Sequence, residues 1–168
     1  MKRVLLDTNI YGNMLIDSDI DKIKEGVGTS YLVIYGLRVI RNELRATPRK
    51  IKVKGSNLRI DLLGLYDELV KGHSLETHSD TEVLARHYYR LYQELGGHHG
   101  LNEVLADFLI VAEASVHSLD IVVSEDEATM KHPLALKAYT LVNSIKNLRN
   151  PDFLSYAEFK TALLRRSA

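Results

Sequence analysis

The chain has 168 residues, and its 22 lysine and arginine residues are balanced by 22 aspartate and glutamate residues, so the formal net charge is zero. This balance argues against a grossly basic nucleic-acid-binding protein, and the absence of cysteine excludes a disulfide framework and a thiolate metal site. The apolar runs are too short for a membrane span, which needs about 20 residues, and no signal peptide fits before the first apolar run. We therefore expect one cytoplasmic globular domain.

Strand and helix patterns alternate along the sequence. Short apolar and β-branched runs predict three strands, at Arg3–Leu6, Ser30–Ile34 and Asp120–Val123. Apolar residues at helical spacing predict seven helices: Ile10–Ile16, Leu37 up to Pro48, Leu58–Val70, Ser79–Leu95, Asn102–Ser118, one with Pro133 in its first turn, and a terminal one that ends at Arg165–Arg166. This alternation predicts a single α/β domain with a parallel sheet and helices on both faces.

Three of the predicted helices carry recognisable N-terminal signals. Ser79 with Glu82, and Ser155 with Glu158, have the spacing of a capping box. Asn102 follows a glycine-rich break and is placed to cap the helix after it.

Four acidic residues lie near the ends of predicted elements. Asp7 and Asp126 follow the first and third strands, Glu43 lies on the helix after the second strand, and Asp107 lies in the first turns of a helix. Open α/β sheets place ligand chemistry at the carboxyl ends of their strands. Two carboxylates 4 Å apart repel by about 4 kcal/mol at an effective dielectric near 20, so four of them need a counter-charge. Mg²⁺ or Mn²⁺ supplies it and prefers oxygen ligands.

The residues around these acids resemble the motifs of the PIN-domain family. The matching segments occur in the family's order: Leu5-Leu6-Asp7-Thr8-Asn9, Val39-Ile40-Arg41-Asn42-Glu43-Leu44, Ala106-Asp107-Phe108-Leu109-Ile110-Val111-Ala112-Glu113-Ala114 and Ile121-Val122-Val123-Ser124-Glu125-Asp126. The resemblance implies a PIN-like three-layer α/β/α sandwich with a central parallel sheet. The expected organisation is one domain over residues 1–168, with a helical insertion at about 56–96 and a C-terminal helical extension at about 150–168.

The same resemblance implies a Mg²⁺- or Mn²⁺-dependent endoribonuclease that hydrolyses RNA phosphodiester bonds. It implies four catalytic metal ligands and two supporting polar residues, which are Asp7, Glu43, Asp107 and Asp126 with Asn9 and Ser124. Many small members are toxins of VapBC-type pairs, which implies a small antitoxin partner and a homodimer. The alternatives are a stand-alone RNA-processing nuclease and a non-catalytic PIN-like scaffold that binds RNA or protein. A haloacid-dehalogenase-like phosphatase needs a second aspartate at position 9, which is asparagine here.

Basic residues concentrate between positions 38 and 54, where Glu43 is the only acid. They are predicted to hold the RNA backbone, and they are Arg38, Arg41, Arg45, Arg49, Lys50, Lys52 and Lys54. The alternative interpretation is a solvated helix face and loop.

Each predicted site acid also has a simpler interpretation. Asp7 could cap the following helix, Glu43 could pair with a neighbouring arginine, and Glu125 or Glu127 could replace Asp126. Asp107 lies in an apolar stretch, where a charge needs solvent, a partner or a metal.

Two further groups of polar residues remain open. Glu103 lies one turn before Asp107 on the same helix face, so it either joins the acids or stabilises the helix N-terminus. The seven histidines show no His-x-x-x-His spacing, and His98 and His99 are interpreted as part of a loop rather than a zinc site.

Overall fold

The computed structural model describes residues 1–29 and 31–165. In this part of the chain the strands are β1 Lys2–Leu6, β2 Leu32–Tyr35, β3 Lys52–Val53, β4 Ser56–Asn57, β5 Ile121–Val123 and β6 Asp152–Leu154. The helices are α1 Thr8–Ile16, α2 Ile20–Thr29, α3 Arg38–Ala46, α4 Leu58–Val70, α5 Ser79–Glu94, α6 Leu101–Val116, α7 Pro133–Lys146 and α8 Tyr156–Leu164.

Four strands form a parallel sheet in the order β2-β1-β5-β6, so β1 and β5 are its central strands. Val4, Leu5 and Leu6 of β1 are all fully buried. Because successive strand residues point to opposite faces, this run shows that both faces of the sheet are covered. Each of these side chains contributes about 1.5–3 kcal/mol by leaving water.

The helices form two packing groups. On one side α5 packs against α6 and α7, and on the other α1 contacts α2, α3 and α4 while α8 packs against α2. These groups are the outer layers of a three-layer α/β/α sandwich, which confirms the predicted fold class. Within the described residues, no helix is both long and apolar enough to cross a membrane.

Several elements were missed by the sequence patterns. Helix α2 contains Gly26, which lowers helix propensity, yet a Cβ there would lie 3.0 Å from Leu163, so glycine lets α8 approach closely. The β3–β4 hairpin and β6 have only two or three residues per strand, which is too short for a periodicity signal.

Two predicted helix caps are wrong and one is confirmed. Helix α6 begins after Gly100 instead of at an Asn102 cap, and α5 begins at Ser79 without a capping box, because His78 is its N-cap residue and makes no side-chain cap bond. The Ser155–Glu158 box is confirmed by reciprocal bonds of 3.2 and 2.8 Å.

The remaining boundaries agree closely with the sequence patterns. Pro133 is the first residue of α7, as predicted. Ser30 and Arg166, at the ends of a predicted strand and helix, lie outside the described residues. Helices α4, α5 and α8 lie in the ranges of the predicted insertion and extension, and the interpretation of these ranges as an insertion and an extension stays a prediction.

Candidate functional site

The structure brings the four predicted acids together near the ends of the central strands. Asp7 directly follows β1, and Asp126 lies three residues beyond the end of the adjacent parallel strand β5. Glu43 comes from α3 and Asp107 from α6. Their charges act on one another, since Asp7 raises the pKa of Glu43 and of Asp107, and Asp126 raises that of Asp7 and of Asp107.

Asp7 is the most buried of these acids, with 4% of its surface exposed. Its Oδ1 accepts a hydrogen bond from the Thr8 N–H at 2.7 Å, so Asp7 caps α1. Its Oδ2 accepts bonds from Ser124 Oγ at 2.6 Å and Asn9 Nδ2 at 2.8 Å. Burial raises the pKa of Asp7, against the opposing effect of these bonds. Capping of α1 therefore engages Oδ1 of Asp7, whereas Oδ2 faces Ser124, the residue that follows β5.

Ser124 and Asn9 join the ends of β1 and β5. The Ser124 hydroxyl donates to Asp7 and accepts from the Asp126 N–H at 3.0 Å. Asn9 Oδ1 accepts from the Glu125 N–H at 3.3 Å. Ser124 therefore links the Asp7 carboxylate to the backbone of Asp126, whereas Asn9 links it to the backbone of Glu125. The supporting role of both residues stays a prediction.

Glu43 is half-buried and accepts a hydrogen bond from the Thr8 hydroxyl. Among the described residues Glu43 forms no ion pair with a neighbouring arginine, and Arg41 pairs with Asp67 at 3.1 Å. Burial raises the pKa of Glu43, the Thr8 bond opposes this, and the charge of Asp7 adds to it. Glu43 therefore belongs to the acid cluster rather than to a surface ion pair.

The Thr129 hydroxyl lies between the carboxylates of Asp107 and Asp126, with 2.5 Å to Asp126 Oδ2. Burial raises the pKa of Asp107 to about 7, the Thr129 bond opposes it, and the charges of Asp126 and Asp7 add to it. Burial also acts to raise the pKa of Asp126, but bonds from Thr129 and the Ala128 N–H outweigh it and the pKa is lowered. At neutral pH Asp126 is therefore ionised while Asp107 is partly protonated.

Neighbouring acids are directed away from this cluster. Glu125 accepts from the backbone N–H at the start of α8, and Glu127 pairs with Lys131 at 2.5 Å. Glu103 accepts the Gly100 N–H at 2.6 Å, so it satisfies the α6 N-terminus instead of joining the acids.

The chemistry of the cluster suits a hard divalent cation, since all four side chains offer carboxylate oxygens. Across residues 1–29 and 31–165, none of the four forms an ion pair with lysine, arginine or histidine. In the same residues, no three Asp, Glu, His or Cys side chains are grouped so that they could hold a metal ion. Hydroxyls of Thr8, Ser124 and Thr129 instead bond the carboxylates, so metal coordination requires local side-chain movement.

The predicted RNA-binding residues divide into two sets. Arg38, Arg41 and Arg45 lie along one face of α3, and at 100° per residue that face is nearly opposite Glu43. The other four bases are exposed and lie between α3 and α4, on or beside the β3–β4 hairpin: Arg49, Lys50, Lys52 and Lys54. Only the second set is not held on the face of α3 that points away from Glu43. Its role in RNA binding stays a prediction.

Sequence reasoning missed two hydroxyl residues of the site, Thr8 and Thr129. Thr8 follows Asp7 directly, but its partner Glu43 is 35 positions away. Thr129 lies three residues after Asp126 and donates its N–H to the Asp126 carboxylate at 2.8 Å. An aspartate followed by a hydroxyl residue at this spacing is a turn signal that could have drawn attention to Thr129.

Comparisons with known proteins bear on the fold. No protein-family model matches the sequence, and no curated protein matches it either. Among solved structures, the chain is similar to a chain of VapBC2 from Rickettsia felis, solved bound to a DNA fragment from its promoter. The two are 17% identical with a TM-score of 0.51, over 91% of this chain and 98% of that chain. The likeness extends over nearly the whole chain and shows that this protein shares the fold of that one.

Proposed function

We propose that this protein is a PIN-like endoribonuclease that depends on Mg²⁺ or Mn²⁺. The observation that carries the proposal is that Asp7, Glu43, Asp107 and Asp126 lie near the ends of the central strands, where no lysine, arginine or histidine of the described residues forms an ion pair with them. Burial and mutual repulsion raise three of the four pKa values, which is the electrostatic state of an anionic pocket that attracts a cation. Functional sites are where such perturbed carboxylates concentrate.

The four acids would hold one or two ions, which when bound would polarise a phosphoryl oxygen and supply hydroxide from water. The protein's own groups orient the acids. Ser124 holds Asp7, and Thr129 spans Asp107 and Asp126. The hairpin bases Lys52 and Lys54 would contact the phosphate backbone of the RNA.

We further propose that the protein is the toxin of a VapBC-type pair and acts in the cytoplasm. The support is the similarity of nearly the whole chain to a VapBC2 chain. This assignment implies a small antitoxin protein as a partner and a homodimer. A short open reading frame directly upstream that encodes a DNA-binding protein would support it, whereas its absence would favour a stand-alone RNA-processing nuclease with the same site.

The test is cleavage of structured and unstructured RNAs by wild-type protein and Asp7→Asn, with Mn²⁺ or with EDTA. Cleavage is expected only for wild type with Mn²⁺. Asp21→Asn is the matched control, because Asp21 is an exposed acid on α2 outside the cluster, and it is expected to cleave like wild type. Activity that persists both in EDTA and in Asp7→Asn would contradict the proposal.

A non-catalytic binding scaffold is the second candidate. It is favoured by the finding that, among the described residues, no three potential ligands are grouped to hold an ion. Isothermal titration calorimetry with Mn²⁺ separates the two functions. Binding that Asp7→Asn weakens supports the nuclease, and absence of binding supports the scaffold.

A further inference from the structure

A second buried acid, Glu113, lies on α6 outside the candidate active site. Only 2% of its surface is exposed, and neither carboxylate oxygen has a hydrogen-bond partner of ordinary geometry among the described residues, although the hydroxyls of Thr77 and Thr81 are close. Burial raises the pKa of Glu113, and the charge of His117 is the largest effect that opposes burial. An ionised carboxylate in these surroundings needs a positively charged partner.

His117 lies beside this carboxylate, one helical turn further along the chain, at the C-terminal end of α6. Its Nε2 is 3.3 Å from Glu113 Oε2 and 3.3 Å from the carbonyl oxygen of Glu76. Because both of these atoms are acceptors, Nε2 is a protonated nitrogen and Glu113 and His117 form an ion pair. His117 therefore joins the buried carboxylate of α6 to the backbone of the 71–78 segment, which connects α4 to α5.

The 71–78 segment is attached at a second point, beside the end of β2. Gly36 donates its N–H to the His73 carbonyl at 3.0 Å, and Leu75 donates its N–H to the Gly36 carbonyl at 2.9 Å. Gly36 lies two residues before α3, the helix that carries Glu43. All of the segment except Leu75 is exposed, so these hydrogen bonds and the contact with α6 contribute much of what holds it in place.

The other charged groups near His117 do not replace it as the partner of Glu113. Arg3 of β1 donates to the His117 carbonyl at 3.2 Å, and its guanidinium lies 3.9 Å from Asp120. His78 is the second titratable side chain that faces the pair, since its ring centre is 5.3 Å from that of His117. It is exposed and forms no ion pair among the described residues, so the compensating charge belongs to His117.

We propose that Glu113 and His117 form a proton-dependent link that holds the 71–78 segment on α6 and thereby connects α6 to the start of α3. Histidine side chains change charge between about pH 5 and pH 8. While the pair retains one proton, the buried carboxylate is compensated and the Glu76 carbonyl is bound. Loss of that proton leaves a buried negative charge without a cation, so the linked arrangement becomes less stable as the pH rises.

The experiment measures hydrogen exchange at the Gly36 and Leu75 amides of the full-length, metal-free protein at pH 6 and pH 8.5. The Leu148 amide, which donates to Asn143 at the end of α7, reports the change that the whole protein shares, including the titration of Asp107. After correction for intrinsic exchange rates, protection of Gly36 and Leu75 should fall with pH by about tenfold more than that of Leu148.

Three variants identify the groups responsible. Glu113→Gln keeps the shape of the side chain and removes its charge, so Gly36 and Leu75 should then follow Leu148. His117→Ala should lower the protection of Gly36 and Leu75 already at pH 6 and abolish their additional pH dependence. His78→Ala, at an exposed position, should retain the wild-type behaviour. If His117→Ala does not fold, Glu113→Gln alone decides the question.

Three results would overturn the proposal. The first is that Gly36 and Leu75 follow Leu148 in the wild-type protein, which would mean that no proton-dependent link holds the segment. The second is that the additional pH dependence persists in Glu113→Gln. The third is its disappearance in His78→Ala, because His78 rather than His117 would then be the group that titrates.

Discussion

Replacing Asp107 by asparagine removes a buried negative charge and keeps the shape of the side chain. The asparagine oxygen can still accept a hydrogen bond from the Thr129 hydroxyl, which contacts Asp107 in the wild type. The substitution therefore isolates the electrostatic cost of the carboxylate. We expect metal-free Asp107→Asn protein to be more stable than metal-free wild type at pH 8.

The size of this effect follows from the pKa of Asp107, which rises from an ordinary 3.8 to about 7 on folding, chiefly through burial. The folded state then binds more protons than the unfolded state between about pH 4 and pH 7, so wild-type stability falls as the pH rises through that window. At about 1.4 kcal/mol for each tenfold change in proton affinity, the cost reaches up to about 4 kcal/mol at pH 8. At pH 4 it is small, because the carboxyl group is largely protonated in the folded state.

Urea denaturation in EDTA at several pH values between 4 and 8 measures this difference. The free energy of unfolding of the variant minus that of wild type should grow with pH and level off above pH 7, with unchanged m-values. Mn²⁺ should reverse the order by stabilising wild type more than the variant. A difference that is independent of pH, or a variant less stable than wild type at pH 8, would refute the reasoning.

Further substitutions probe the hydroxyls and the basic residues. Thr129→Val should reduce RNA cleavage and Mn²⁺ affinity while Thr129→Ser retains both, as measured by cleavage assays and calorimetry; equal loss in both variants would argue against a role for the hydroxyl. Ser124→Ala should lower the free energy of unfolding by about 1–3 kcal/mol, since it removes the buried hydroxyl that bonds Asp7, and urea denaturation would show this. The double substitution Lys52→Ala with Lys54→Ala should weaken RNA binding and reduce its salt dependence. Arg41→Ala should change RNA binding less, because Arg41 is already paired with an aspartate; the opposite order in a filter-binding titration would place the RNA along α3.

The central strands and the acids that follow them were predictable because their signals are local. Arg3–Leu6 is a short apolar run that ends directly at Asp7, and the β5 run precedes Ser124 and Asp126 in the same way. Strand ends of a parallel sheet meet at one edge, so sequence position alone indicated where these two carboxylates would lie.

The contacts that tune the site were not predictable, because they join distant segments. The Thr129 hydroxyl reaches Asp107 across 22 positions, and the Thr8 hydroxyl reaches Glu43 across 35. Helix α2 was missed because Gly26 lowers helix propensity. The reason for a glycine at this position is the close approach of Leu163 of α8, which is a tertiary contact that the sequence does not show. Local patterns therefore predicted which strands and helices carry the acids. The contacts that shift the pKa values of these acids depend on tertiary packing.

The central position of β1 has a consequence for biosynthesis. This first strand pairs with β5, which begins at Ile121, through contacts such as Val4 opposite Ile121. Asp7 is synthesised well before its partner Ser124, which lies 117 positions further along the chain, and before Asp126. Pairing over so long a separation forms slowly, and a nascent chain that ends before β5 has no assembled acid cluster. The acid cluster therefore cannot assemble, and cannot act, until the chain has been synthesised beyond Asp126.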